Sequence, residues 1–374
     1  MLVNHFLENS ALKYSDKVAV ICGSKRITYS EIEAMAGSLS SALLSEGIGR
    51  GDRVAVFLDN SVEAVISIFA ILKAGAVFVM VNPTTKRDKL NYTLNNCRAS
   101  ALISHINKFD IASEAYKTTP SLKSAILTGR KKEIVNGSQR YIFMEDILGS
   151  QSSQCNPTAT SPCIDIDLAT IIYTSGSTGY PKGVMMTHLN MVSAANSIIQ
   201  YLENTSEDII LNVLPLSFDY GLYQVLMGFS VGATVIIEEA FPYPYKIIDI
   251  IQREKVTGFP IVPTISAILL QMKELKSHSF EHLRYISNTA AALPPIHITK
   301  LKEIFPKTKI YSMYGLTECK RVTYLPPDQI DIRPTSVGKG MPNEEVYIVD
   351  EDDNRVGPNI IGELVVRGSN VMKG

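Results

Sequence analysis

The sequence predicts an α/β fold, with two α/β subdomains followed by a small β-rich one. Three observations carry this. Residues 53–57 (Arg-Val-Ala-Val-Phe) read as a strand, residues 60–72 as a helix that Gly75 stops, and residues 76–81 as a second strand. Strand, helix and strand with short turns form a βαβ unit, which implies a parallel sheet covered on both faces. A second α/β series begins with the strand 168–173 and continues through strands at 209–214, 234–237 and 257–262, with a helix over 189–202. From Val337 onward the pattern changes to short strands at 345–349 and 362–367, around an acidic turn at 350–354.

Each element has a local cause. Thr28-Tyr-Ser-Glu31 opens a helix that Thr28 or Ser30 can cap, and Gly47 and Gly49 end it. The Ser-, Gln- and Pro-rich stretch 149–162 reads as an exposed loop between subdomains. The expected division is therefore 1–165, 166–336 and 337–374.

The chain has 374 residues, 45% of them hydrophobic, which is ample for a large core. A formal net charge of −1 and the lack of any basic block argue against a nucleic-acid partner. Five scattered cysteines form no metal-ligand spacing and read as reduced thiols. The N-terminus lacks the pattern of a signal peptide. The most apolar stretch, 62–81, is interrupted by Glu63, Lys73 and Gly75, so it reads as a buried helix and strand rather than a membrane span. A cytoplasmic protein is expected.

Two motifs carry chemistry. Tyr173-Thr-Ser-Gly-Ser-Thr-Gly-Tyr-Pro-Lys-Gly-Val184 follows a strand and holds three glycines, four Ser/Thr hydroxyls and a lysine. Glycines let backbone N–H groups approach an anion, hydroxyls add donors, and Lys182 adds charge, as polyphosphate binding requires. The spacing is not that of a Walker A loop, and the composition alone also fits a surface loop. The second motif, Tyr311-Ser-Met-Tyr-Gly-Leu-Thr-Glu318, places an aromatic, a hydroxyl and a carboxylate together. Such a set can stack on a base and hold Mg²⁺ beside a phosphate. Taken alone it favours an ordinary strand end. No GxGxxG opens a helix after the first strand, so an NAD enzyme has no support.

Together the two motifs resemble the signature elements of the adenylate-forming superfamily, which includes acyl-CoA synthetases and peptide-synthetase adenylation domains. Further elements agree: Thr28-Tyr-Ser-Glu31, Leu72-Lys-Ala-Gly-Ala-Val-Phe-Val79, Pro260-Ile-Val-Pro263, Gly338-Lys-Gly-Met-Pro342 and Gly362-Glu-Leu-Val-Val-Arg-Gly368. The resemblance implies two interleaved doubly wound subdomains plus a barrel-like β-rich one. It implies ATP and Mg²⁺ as cofactors, a small carboxylic acid or amino acid as substrate, and coenzyme A or a carrier-protein phosphopantetheine as acceptor.

Residue roles follow from the same resemblance. Thr174, Ser175, Gly176, Ser177, Thr178, Gly179 and Lys182 would wrap the β- and γ-phosphates. Ala290, Ala291 and Ala292 would line the adenine, where the family usually has glycines. Tyr314, beside Gly315, would stack on adenine; Thr317 would contact the α-phosphate, and Glu318 would bind Mg²⁺. Lys182, Thr317 and Glu318 form the expected catalytic set. The family continues past residue 374 to a ribose-binding aspartate, a hinge and a C-terminal lid domain with its own lysine. Lys373 comes too early for that role, so weak nucleotide binding and weak activity are expected of the chain alone.

The substrate signal lies in Leu214-Pro-Leu-Ser-Phe-Asp-Tyr-Gly-Leu-Tyr-Gln224. Phe218-Asp219 resembles amino-acid-activating domains, in which the aspartate holds the substrate ammonium. Asp219 could instead cap the following helix, which would leave a non-amino carboxylic acid as substrate. Tyr220 and Tyr223 would line the same pocket or serve as core. His188 reads as structural and the acidic run 350–353 as a solvated turn. A rival of another class is a non-catalytic nucleotide-binding relic; retention of Lys182, Thr317 and Glu318 argues against it.

Overall fold

A computed structural model describes residues 1–129, 141–149, 163–174, 180–239, 241, 243–272 and 274–374. The loop expected over 149–162, beyond Gly149, and the phosphate-loop residues Ser175, Gly176, Ser177, Thr178 and Gly179 lie outside the described residues.

The expected α/β class is present. Seven strands form one sheet in the order Tyr141–Phe143, Ser124–Thr128, Ala99–His105, Arg53–Phe57, Val77–Met80, Leu168–Thr174 and Lys182–Thr187. All pairs are parallel except the last. Nine strands form the other sheet: Lys339–Gly340, Thr323–Leu325, Lys309–Tyr314, Tyr285–Asn288, Gly258–Ile261, Ile209–Asn212, Thr234–Ile237, Val18–Cys22 and Lys25–Thr28. Its interior is parallel and its edges antiparallel. Glu344–Val349 and Glu363–Gly368 make a separate antiparallel pair.

The sheets do not follow the expected division at residue 165. Val18–Cys22 pairs with Thr234–Ile237 in the nine-stranded sheet, whereas Leu168–Thr174 pairs with Val77–Met80 in the seven-stranded one. Parallel pairing is set by tertiary register, which proximity along the chain does not reveal. Likewise Lys339–Gly340 joins the edge of the larger sheet and not the small β unit.

A layer of helices joins the two sheets. The helix Tyr29–Ser45 begins on Thr28 with a reciprocal capping box to Glu31. Ser61 caps the helix Val62–Lys73 by accepting from the Ala64 N–H. Phe69 of that helix stacks on Phe229 of the helix Asp219–Val231 with centroids 4.9 Å apart, and Tyr29 meets the same ring edge-on at 5.3 Å. Such contacts add about 0.5–1.5 kcal/mol each beyond burial. Lys73 bonds Glu8 at 3.0 Å and Glu33 at 2.5 Å. This lysine of the second core element therefore ties three helices together rather than facing a ligand.

His188 is structural, as expected. It is fully buried, and its Nδ1 accepts the Val3 N–H at 3.1 Å. Burial pushes the imidazole down to about 4, so it is neutral in the fold. An unfolded histidine binds its proton near pH 6.5, so the contribution is complete above that pH and is lost as pH falls toward 4. The full loss amounts to about 3 kcal/mol. His188→Asn keeps an acceptor for Val3 without the titration. Denaturation midpoints for this variant are expected to fall less between pH 6.5 and 4 than those of the parent; identical slopes would remove His188 as the cause.

Candidate active site

Four parallel strands of the larger sheet end side by side, and the loops at their carboxyl ends carry the predicted residues. Ile209–Asn212 leads to Phe218 and Asp219, Gly258–Ile261 to Pro263, Tyr285–Asn288 to Ala290, and Lys309–Tyr314 to Thr317 and Glu318. Ligand crevices of open α/β sheets form at this end of the strands. Asn288 pairs in register with Ser312, which sets the loop of Ala290, Ala291 and Ala292 beside Tyr314.

Tyr314, Thr317 and Glu318 are half-buried, and the three alanines are exposed. The Tyr314 ring makes no aromatic contact and the Glu318 carboxylate no hydrogen bond or ion pair among the described residues. A free ring face and a free carboxylate are what a base and a Mg²⁺ ion require of their partners. No group of three His, Cys, Asp or Glu able to hold a metal occurs among the described residues. One carboxylate is nonetheless a fit for Mg²⁺, which commonly takes one or two carboxylates plus phosphate oxygens and water. The buried Asn288 Oδ1 has no hydrogen-bond partner among the described residues, while its Nδ2 donates to the Ala291 carbonyl at 3.0 Å.

Ala290 holds φ +73°, a left-handed conformation that costs an L-residue with a Cβ about 1–2 kcal/mol. Glycine, which the resemblance implies as the usual residue here, would avoid that cost. Ala290→Gly is expected to stabilise the fold by about 0.5–1 kcal/mol, after the entropy of a freer unfolded chain is subtracted. Urea unfolding checks this; a lower midpoint would show that the loop gains nothing by losing the methyl.

The seven-stranded sheet supplies the flanks of the other motif. Thr174 and Lys182 are paired residues at the open end of its antiparallel hairpin. Lys182 is exposed and makes no ion pair among the described residues. A short strip links this hairpin to the second motif: the Met372 N–H donates to the Glu318 carbonyl at 2.7 Å, the Lys373 N–H to Met185 at 2.9 Å, and the Met185 N–H to Gly374 at 2.8 Å.

The helix Asp219–Val231 starts at Asp219, with Phe218 as its N-cap and no side-chain capping bond. The capping explanation for Asp219 therefore does not hold; its carboxylate sits in the first turn, where the helix dipole favours negative charge. Phe218 is 52% exposed, whereas Tyr220 and Tyr223 are buried. Tyr220 donates to the Ser287 carbonyl at 2.6 Å, and the Tyr223 hydroxyl has no hydrogen-bond partner among the described residues. Lys320 and Arg321, which lie next to these tyrosines, were not singled out by the sequence reading. Two consecutive cations before a strand look solvated, yet both are buried. A cavity of about 450 Å³ lined by Tyr201, Tyr311 and Tyr324 lies toward Lys309, at the opposite end of its strand from these loops.

Residues 7–374 match the family described as AMP-binding enzyme, and the chain belongs to that family. It is 29% identical over 394 residues to a long-chain-fatty-acid–CoA ligase of Bacillus subtilis (strain 168), covering 98% of this chain and 69% of that protein. It is 28% identical over 382 residues to bacitracin synthase 1 of Bacillus licheniformis, covering all of this chain but only 7% of that protein. The crystal structure of VinN with L-aspartate superposes with a TM-score of 0.86 at 28% identity, over 100% of this chain and 90% of that one. The relatives are thus acyl-CoA ligases and peptide-synthetase adenylation domains. No helix among the described residues is long and apolar enough to cross a membrane.

Proposed function

We propose that the chain carries the adenylation site of an ATP-dependent, AMP-forming ligase acting on a small amino acid. A substrate carboxylate oxygen attacks the α-phosphorus of ATP, and the bond to the oxygen bridging to the β-phosphate breaks. The products are the acyl-adenylate and pyrophosphate. Both reactants are anionic, so the residues serve to orient and neutralise them. Lys182 and Thr174 flank the phosphate loop, Thr317 contacts the α-phosphate, Tyr314 stacks on adenine, and the loop of Ala290, Ala291 and Ala292 borders it. Glu318 would hold Mg²⁺, which would offset triphosphate charge. The acyl group then passes to a thiol, either coenzyme A or a carrier-protein phosphopantetheine.

The observation that carries the amino-acid reading is Asp219, half-buried at a helix start with no bonding partner among the described residues. A substrate ammonium would supply that partner. The peptide-synthetase relatives and the VinN complex with L-aspartate support it. The fatty-acid ligase relative supports a second reading, a non-amino carboxylic acid. Calorimetry with two non-hydrolysable acyl-sulfamoyl adenosines, one aminoacyl and one medium-chain acyl, separates them. Tighter binding of the aminoacyl mimic is expected; preference for the acyl mimic would select the second reading.

A further inference from the structure

Lys320 and Arg321 are each 2% exposed. Among the described residues the Lys320 ammonium has no hydrogen-bond partner, and it lies 5.2 Å from the centroid of the Tyr223 ring. The Arg321 guanidinium lies 4.4 Å over Tyr220, and its side-chain hydrogen bond goes to the Met313 sulfur at 3.5 Å. Neither forms a salt bridge among the described residues. Burying a cation without an anion is unfavourable, and an aromatic face offsets only part of that cost.

The backbone is arranged to place both charges together. Successive side chains of a strand point to opposite faces. Lys320, at φ +64°, breaks that alternation just before the strand Thr323–Leu325. Gly315 permits the close return, since a Cβ there would lie 2.2 Å from the Lys320 carbonyl oxygen. Tyr220 and Tyr223 are three residues apart and share one helix face, which Asp219 joins four residues before Tyr223. The negative charge of Asp219 acts on both Lys320 and Tyr223.

From this unpartnered pair we infer that Lys320 and Arg321 hold a second carboxylate on the substrate, so the acid this chain activates is dicarboxylic. The inference rests on the reading of the Asp219 helix face as the acid pocket of an adenylation site. A monocarboxylic or apolar acid would leave two buried positive charges with no carboxylate within ion-pair distance among the described residues. A second substrate carboxylate gives the pair the acceptor oxygens it lacks.

Four sulfamoyl-adenosine mimics test it by calorimetry on the unmodified chain: aspartyl against its neutral isostere asparaginyl, and succinyl against succinamyl. Each acid is expected to bind at least about 100-fold more tightly than its amide. Lys320→Met and Arg321→Met should each shrink that ratio to about tenfold or less while leaving amide affinity within about threefold. Lys320→Met should also raise the thermal midpoint, because an uncompensated buried charge is removed. Equal binding of acid and amide, or an acid preference that survives both substitutions, would overturn the inference. Failure of all four mimics to bind would instead overturn the adenylation reading beneath it.

Discussion

Glu318→Gln lowers the affinity for ATP in the presence of Mg²⁺ by about 100-fold and abolishes the difference between Mg²⁺ and chelator. That is the result expected if this carboxylate is the protein's ligand for the ion, since losing it removes roughly 2.7 kcal/mol of charge neutralisation. Folding should be unaffected, because the Glu318 side chain makes no hydrogen bond or ion pair among the described residues, and only its backbone carbonyl is engaged, by Met372. Calorimetric titration with and without Mg²⁺, beside a thermal melt, reads both quantities. Unchanged Mg²⁺ dependence would move the metal site elsewhere.

Asp219→Ala is expected to weaken an aminoacyl-adenylate mimic by about 100-fold and a simple acyl mimic by no more than about twofold, because only the first has an ammonium to lose. The helix should survive, since Asp219 supplies no capping bond to it. Its loss from the first turn costs at most about 1 kcal/mol through the helix dipole. Equal weakening of both mimics would assign the residue to pocket structure.

Much of the architecture was legible because local rules and the final fold agree. The capping box at Thr28, the Ser61 cap and the parallel pairing of residues 53–57 with 77–80 follow from pattern and short-range chemistry. The strand pair of Val18–Cys22 and Lys25–Thr28 was not legible as part of the distant sheet, because nothing local to it marks Thr234–Ile237 as its partner. The site divides in the same way. Tyr314, Thr317, Glu318 and Asp219 were legible as candidates because each lies at or soon after the end of a strand within a motif of polar chemistry. Lys320 and Arg321 could not, because their burial arises from the close backbone return over Gly315.

The crossing of the two sheets has a consequence for biosynthesis. Val20 pairs in parallel with Val235, so one edge of a strand made among the first, whose other edge pairs with Lys25–Thr28, stays open until most of the chain has left the ribosome. Until then its unpaired edge and the apolar faces of helices Tyr29–Ser45 and Val62–Lys73 await the helix Asp219–Val231. Long-range pairing of this kind slows folding and prolongs exposure of sticky surface. The nascent chain is therefore a natural client for chaperones that shield hydrophobic segments during translation.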